Sequence, residues 1–128
     1  MYKIIAVVGM FLFFANVGNS YADDKELDND LMRSIEDTNK SLASNIALKD
    51  RKASSTDAKE LIKMFVEVER FFVDKGNAND AVELSKKISE LSVEIDKSVN
   101  ANDFERATGL ATSLSRTCKT CHNFYKKS

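Results

Sequence analysis

Three residues near the C-terminus have side chains that can do chemistry together. Cys118 and Cys121 are separated by two residues and His122 follows directly, so the segment reads C-x-x-C-H. On a helix, positions i, i+3 and i+4 project from broadly the same side, which presents two thiols and an imidazole together. This spacing is the attachment signature of c-type haem, in which both thiols form thioethers and the histidine is the proximal iron ligand. The motif therefore predicts one covalently attached haem c.

Other chemistries are open to the same residues. A disulfide between Cys118 and Cys121 is geometrically allowed, but a redox C-x-x-C normally opens a helix after a strand, and no strand pattern precedes this one. Structural zinc needs four ligands, whereas the whole chain holds two Cys and one His. A lone His on a helix is otherwise most often an ordinary surface or core residue. Haem attachment is the interpretation that uses all three residues.

Four helical segments position this motif. Apolar residues recur at intervals of three and four along the chain, and no segment alternates as a strand does. The first helix is predicted at about 26–49, and the other three follow at short intervals. The predicted apolar positions are Leu27, Leu31, Met32, Ile35, Leu42, Ile46, Ala58, Leu61, Phe65, Val68, Phe72, Ala81, Leu84, Ile88, Leu91, Ile95, Phe104, Ala107, Leu110 or Ala111, Leu114, Cys118, Cys121 and Tyr125.

Residue types at the ends of these segments predict the boundaries. Residues 51–56 are mostly polar and are predicted as a loop, after which Asp57 and Glu60 form a capping-box-like start for the second helix. Gly76 is typical of a residue that ends a helix. The predicted caps of the third and fourth helices are Asn79 and Asn102, the latter together with Glu105. Loops of a few residues force neighbouring helices to run antiparallel, so we expect an all-α, up-down-up-down four-helix bundle.

Composition narrows the class of protein. The chain has 128 residues, which corresponds to one domain, and its complete lack of Pro favours long uninterrupted helices. Its 19 Lys and Arg balance 20 Asp and Glu, so nothing in the charge predicts nucleic acid or an anionic membrane surface as a partner. Two Cys and one His exclude a centre with several metal sites.

The N-terminal segment has the layout of a secretory signal peptide. Lys3 supplies a positive charge, residues 4–15 are almost continuously apolar, and small residues at Ser20 and Ala22 precede two aspartates. Twelve apolar residues cover only ~18 Å, short of a ~30 Å hydrocarbon core, so a membrane anchor is disfavoured. We predict a signal peptide at 1–22, a single haem-binding domain at 23–128 and export to a bacterial periplasm, without a membrane span after cleavage.

The C-terminal segment from Cys118 to Lys126, which ends a four-helix chain of this size, resembles the class II c-type cytochromes, the cytochrome c-prime group. It is also similar to the periplasmic b-type cytochromes that are four-helix bundles. The resemblance implies a bundle with haem near the end that holds the C-terminus, Cys118 and Cys121 as thioether positions and His122 as the fifth ligand. Two positions differ from the family pattern: Lys126 stands where many members have Arg, and Asp28 where a basic residue is common.

Met32 matches the distal position of that family, which is a Met ligand in low-spin members and a steric blocker in five-coordinate ones. In an up-down bundle the start of the first helix and the end of the fourth lie at the same end, so Met32 and His122 are both expected ~9 Å from it. Met64 lies deeper in the second helix and is the weaker candidate. A core role for Met32 is the alternative, since most helical Met residues fill gaps in cores. The apolar wall expected at this level comprises Ile35, Val68, Phe72, Leu84 and Ile88.

These features predict a monohaem electron carrier rather than an enzyme, since the only His is committed to iron and no nucleophile–base pair is evident. Lys119, Lys126 and Lys127 are expected to surround the haem edge and to dock acidic redox partner proteins, although they also suit an ordinary solvated terminus. The alternative is a five-coordinate, high-spin protein that binds nitric oxide or carbon monoxide. Bundles of this type can also dimerise through the first helix, and the sequence leaves the oligomeric state open.

Overall fold

The computed structural model describes residues 27–125, which form four α-helices and, over that range, no strand. The predicted signal peptide, as well as Lys126 and Lys127, lies outside the described residues. The helices are α1 (Asn29–Ala47), α2 (Arg51–Lys75), α3 (Asn79–Asn100) and α4 (Phe104–Tyr125). Each helix packs on its neighbours in the order α1–α2–α3–α4, and α4 closes the ring against α1. The predicted all-α four-helix bundle is confirmed.

Three-residue connections produce the antiparallel order. Residues 48–50, 76–78 and 101–103 join the helices, and each connection contains backbone in the left-handed region. In the first and third, a single residue has positive φ, Lys49 at 55° and Asn102 at 57°, and an aspartate follows it. Gly76, at φ 72°, ends α2 as predicted, because glycine adopts this conformation without a steric penalty.

The start of α2 differs from the prediction. Residues 51–56 are helical rather than a loop, because the side chain of Asp50 caps the helix by accepting a hydrogen bond from the Ala53 amide at 3.0 Å. Ser54 and Ser55 are buried, so the core-facing side of α2 extends through small polar residues that lack an apolar signature. Asp57 is not a cap. Its carboxylate instead accepts hydrogen bonds from side chains of α1.

The predicted caps of α3 and α4 were each displaced by one residue. Asn79 is the first residue of α3, and the cap position belongs to Ala78, which has no side chain that could cap. Asn102 adopts the positive-φ turn, and Asp103 caps α4 by accepting a hydrogen bond from the Arg106 amide at 3.1 Å. Asparagine tolerates left-handed backbone well, which explains why it marks the turn rather than the cap.

One hydrophobic core runs along the bundle. The largest fully buried side chains are Leu42, Leu61, Ile88, Ile95 and Leu114. On α3, the predicted Leu84 and Leu91 are only half-buried, whereas Ser85 and Ser92 are fully buried. Each of these serine hydroxyls donates to the backbone carbonyl four residues earlier, so burial leaves neither group unpaired. None of the helices in residues 27–125 is long and apolar enough to cross a membrane.

Candidate haem-attachment site

The last two turns of α4 carry the predicted thioether and ligand residues. Cys118 and Cys121 are half-buried, and Cys118 packs against the hydrophobic core, whereas His122 is exposed. The fully buried part of α4 ends at Leu114 and Thr117, just before the two cysteines. The helix therefore holds both sulfur atoms at the boundary between core and solvent and places the imidazole beside them.

Both thiols are free, and both are held in the neutral form. Burial, together with the neighbouring Cys121, raises the pKa of Cys118 to about 11, and burial also raises the pKa of Cys121. Reactive C-x-x-C pairs work through a thiolate whose pKa is lowered. The surroundings of these cysteines act in the opposite direction, which disfavours thiol–disulfide exchange as their chemistry.

A zinc site also finds no support in the geometry. Across residues 27–125, no group of three or more His, Cys, Asp or Glu side chains is arranged to hold a metal ion. Structural zinc requires four ligands that converge on one point, and the chain offers only one imidazole and two thiols. The three residues of the motif instead share a helix side, which suits attachment to the edge of a flat cofactor.

Met32 lies on α1 and is half-buried against the core. The register between α1 and α4 is given by Asn39, whose side-chain amide donates to the Ser115 hydroxyl at 3.4 Å. Seven residues are two helical turns, and they return to nearly the same helix side ~10.5 Å away. Because α1 and α4 run antiparallel, a step of seven residues back from Asn39 and seven forward from Ser115 leads to Met32 and His122. These two residues therefore lie at a similar level along the bundle.

The apolar side chains expected around this level are largely buried. Ile35, Val68, Phe72 and Ile88 are each at most 5% exposed and belong to one cluster. Leu84 is only half-buried, because the adjacent Ser85 takes the central position on α3. Met64 is buried in α2 and is 8% exposed.

Two aromatic residues, Phe124 and Tyr125, follow the motif at the end of α4. The ring of Tyr125 lies 5.0 Å from that of Phe72, and its hydroxyl oxygen accepts a hydrogen bond from the backbone amide of Ala81 at 3.1 Å. Phe124 is 64% exposed, which is a high fraction for a large apolar side chain. The sequence placed Tyr125 on the apolar stripe but gave no role to its hydroxyl, because its partner belongs to α3, 44 residues away.

An open cleft separates the last turns of α1 from α4, toward the end of the bundle opposite Tyr125. It encloses about 410 Å³, and small side chains line most of it, with Arg116 and Lys119 at the edge.

Asp28, which differs from the pattern of the resembled family, caps α1 by accepting a hydrogen bond from the Asp30 amide. An aspartate at this position therefore has a local structural role.

Comparisons with protein-family models, with curated proteins and with solved structures returned no match to this chain.

Proposed function

We propose that this protein is a monohaem c-type cytochrome that carries electrons outside the cytoplasm. Cys118 and Cys121 attach the haem, His122 is the proximal iron ligand and Met32 is the distal one. The C-x-x-C-H motif carries this proposal. The hydrogen bond between Asn39 and Ser115 supports the choice of Met32, because Met32 and His122 lie seven residues from that pair in opposite directions along antiparallel helices. When bound, haem supplies a one-electron ferrous–ferric couple.

The two cysteines suit thioether formation. Each S–H adds across a vinyl C=C bond, so a C–S bond forms, the hydrogen moves to the other vinyl carbon, and no oxidant is needed. Both cysteines are half-buried and one helical turn apart on α4, and neither is in a disulfide. Attachment at these positions fixes the cofactor edge to α4 and leaves the adjacent imidazole of His122 to bind the metal.

The surroundings of Met32 and His122 favour an electron carrier. The buried side chains of Ile35, Val68 and Phe72 exclude water from the bundle interior at this end. A low dielectric and a thioether ligand both stabilise the ferrous form and raise the reduction potential. In this proposal His122 and Met32 would both bind the metal, and the haem would supply the one-electron couple.

The exposed surface next to the motif suits brief encounters with a redox partner. Lys119 is exposed on α4, and Phe124 presents an apolar ring one turn from Cys121. A cationic and partly apolar surface docks acidic partner proteins in weak contacts that weaken further with salt. Such contacts permit the fast dissociation that a carrier needs.

Covalent attachment is tested by expression with and without a haem-maturation system. We expect haem to remain on the wild-type chain after acid–acetone extraction, and to be released from the double variant Cys118→Ser/Cys121→Ser. Mass spectrometry of the intact chain then shows one haem added, and cleavage of residues 1–22 in the same spectrum. A wild-type chain that loses all haem on extraction would contradict the proposal.

The distal ligand is tested by the visible spectrum of the holoprotein. We expect low-spin bands and a Met–iron charge-transfer band, both lost in Met32→Leu, which preserves volume while it removes the sulfur. Met64→Leu is the matched control, because it makes the same change in a buried methionine of α2. A high-spin wild-type spectrum that Met32→Leu leaves unchanged would contradict ligation and favour a five-coordinate protein that binds nitric oxide or carbon monoxide.

A further inference from the structure

Three of the four helices begin in the same way. An aspartate stands at the cap position and accepts a hydrogen bond from a backbone amide of the first turn: Asp28 caps α1, Asp50 caps α2 and Asp103 caps α4. In α2 and α4 the donor is the third residue of the helix, Ala53 and Arg106 respectively. These amides have no acceptor within their own helix, so a cap is the usual solution.

The helix α3 is the exception. Ala78 occupies its cap position and provides no side-chain hydrogen bond. The amide of the third residue, Ala81, instead donates to the hydroxyl oxygen of Tyr125 at 3.1 Å. Ala81 is fully buried, so without this acceptor its amide would have no hydrogen-bond partner, which would destabilise the fold. The last residue of α4 thus supplies to α3 the cap that its own sequence lacks.

The same tyrosine is fixed at a second point. Its ring packs against Phe72 of α2, with ring centroids 5.0 Å apart and planes inclined at 47°. Tyr125 follows Cys121 by four residues and His122 by three, so it lies one turn beyond both on neighbouring sides of α4. Contacts to α2 and α3 therefore hold the helical turn that contains Cys121 and His122.

We infer that Tyr125 is a positioning residue, which through its hydroxyl fixes the last turn of α4 against α3 and so orients Cys121 and His122. The part of this inference that concerns haem rests on the proposed function. The attachment of the last turn of α4 to α3 does not depend on the proposed function. The end of an isolated helix frays, and a haem ligand on a fraying turn is poorly oriented. Tyr125 removes that freedom at the position where the ligand must point in one direction.

The hydroxyl is tested with Tyr125→Phe, which retains the ring against Phe72. Amide hydrogen exchange on the purified full-length protein, with or without haem, is the readout. We expect exchange at the Ala81 amide to accelerate roughly fivefold, as for the loss of one hydrogen bond, and exchange in residues 122–125 to accelerate as well. Asp50→Ala is the matched control, because it removes an equivalent cap at the start of α2 and should leave residues 122–125 unchanged. Unchanged exchange at 122–125 in Tyr125→Phe would overturn the inference.

A second variant separates positioning from simple capping. Ala78→Ser gives α3 a cap of its own, since a serine hydroxyl at this position can accept from the Ala81 amide. In Ala78→Ser/Tyr125→Phe we expect protection at Ala81 to return, while residues 122–125 still exchange faster than in the wild type. If the serine restored both regions, Tyr125 would be only a substitute cap, and the positioning role would be wrong.

The haem-loaded protein provides the functional readout. We expect Tyr125→Phe to lower the low-spin fraction of the visible spectrum or to shift the midpoint potential, and Ala78→Ser not to restore either. Asp50→Ala should change neither property. If both properties were unchanged in Tyr125→Phe, the link to the ligand would be overturned. If wild-type protein bound no haem, the proposed function would fail, whereas the exchange experiment would still decide whether Tyr125 fixes the turn.

Discussion

The two sides of this bundle are built differently. The interface between α2 and α3 is the most extensive of the four, and that between α4 and α1 is the least. On α3, Ser85 and Ser92 are fully buried, and their small side chains allow a close approach of the helices. Between α1 and α4, in contrast, an open cleft of about 410 Å³ remains, and Asn39 bonds to Ser115 at 3.4 Å.

The uneven packing gives the bundle a firmly packed side and a sparsely packed side. The helix α4, which carries Cys118, Cys121 and His122, is held firmly on its α3 side. Met32 lies across the sparsely packed side, on the helix whose contacts with α4 are fewest. The proposed haem site would require α1 to adjust while α4 stays in place. Sparse packing is the physical property that permits such adjustment.

Truncation of a core side chain should have the largest effect on stability, and the effect should differ between the two sides of the bundle. Ile88→Ala on α3 should lower the free energy of unfolding by about 2–5 kcal/mol, because the close-packed surroundings cannot collapse into the space left behind. Ile35→Ala deletes the same atoms from a buried site on α1 and should lie near the lower end of that range, since α1 can shift. Urea denaturation of both variants measures the difference. Equal losses would show that the two sides of the bundle are equally rigid.

Enlarging a small residue should have opposite signs on the two sides. Ala58 in α2 is fully buried, and Ala58→Leu should destabilise the protein by about 1–3 kcal/mol through overpacking. Ala43 lines the α1–α4 cleft, and Ala43→Leu should instead raise the stability by about 0.5–2 kcal/mol as it fills open space. The midpoint of thermal unfolding shows the sign of each change. A destabilising Ala43→Leu would mean that the cleft has no room for three added carbons.

The sequence predicted the fold better than the helix ends. Apolar spacing located the four helices of residues 27–125, because residues such as Leu61, Phe65 and Val68 repeat with the period of a helix. The start of α2 was missed, since Ser54 and Ser55 face the core without an apolar signal. The caps were displaced for a related reason. Asn and Asp are both favoured at caps and at turns, and only the backbone conformation shows which role Asn102 has.

The sequence also predicted some residues of the candidate site better than others. Cys118, Cys121 and His122 could be identified because all three lie within five consecutive positions. The part played by the Tyr125 hydroxyl could not, because its hydrogen bond joins α4 to α3 across 44 residues. One signal was nevertheless present. An aspartate precedes α1, α2 and α4 directly, whereas α3 is preceded by an alanine, which indicates that its cap must come from elsewhere.

A smaller effect on stability is expected from pH, through the half-buried thiol of Cys118 on α4. Burial raises the pKa of the Cys118 thiol to about 11 in the folded protein, above its ordinary value of 9.0 in an unfolded chain. Unfolding therefore releases a proton between these pH values, and stability that is fully present below pH 9 falls as the pH rises through this window. The slope is at most about 1.4 kcal/mol per pH unit.

This pH dependence is measured by urea denaturation between pH 8 and 10.5, on protein expressed without haem maturation so that the thiols stay free. Cys118→Ser is the control, because it removes the titrating group at nearly the same size. The difference between wild type and variant should shrink as the pH rises. A difference that stays constant would show that Cys118 ionises equally in both states.

The smallest effect is expected for the hydrogen bond that joins α1 to α4. Asn39 donates to Ser115 over 3.4 Å at an exposed position, so Asn39→Ala should change stability by less than about 0.5 kcal/mol. Asp57 is the matched comparison, because it links α1 to α2 by accepting from Ser41 and Asn45, both at 2.8 Å. Asp57→Ala should cost about 1–2 kcal/mol, since two charge-assisted hydrogen bonds are lost. If Asn39→Ala proved as costly as Asp57→Ala, α1 would be held by α4 as firmly as by α2, and the adjustment proposed for Met32 would lose its basis.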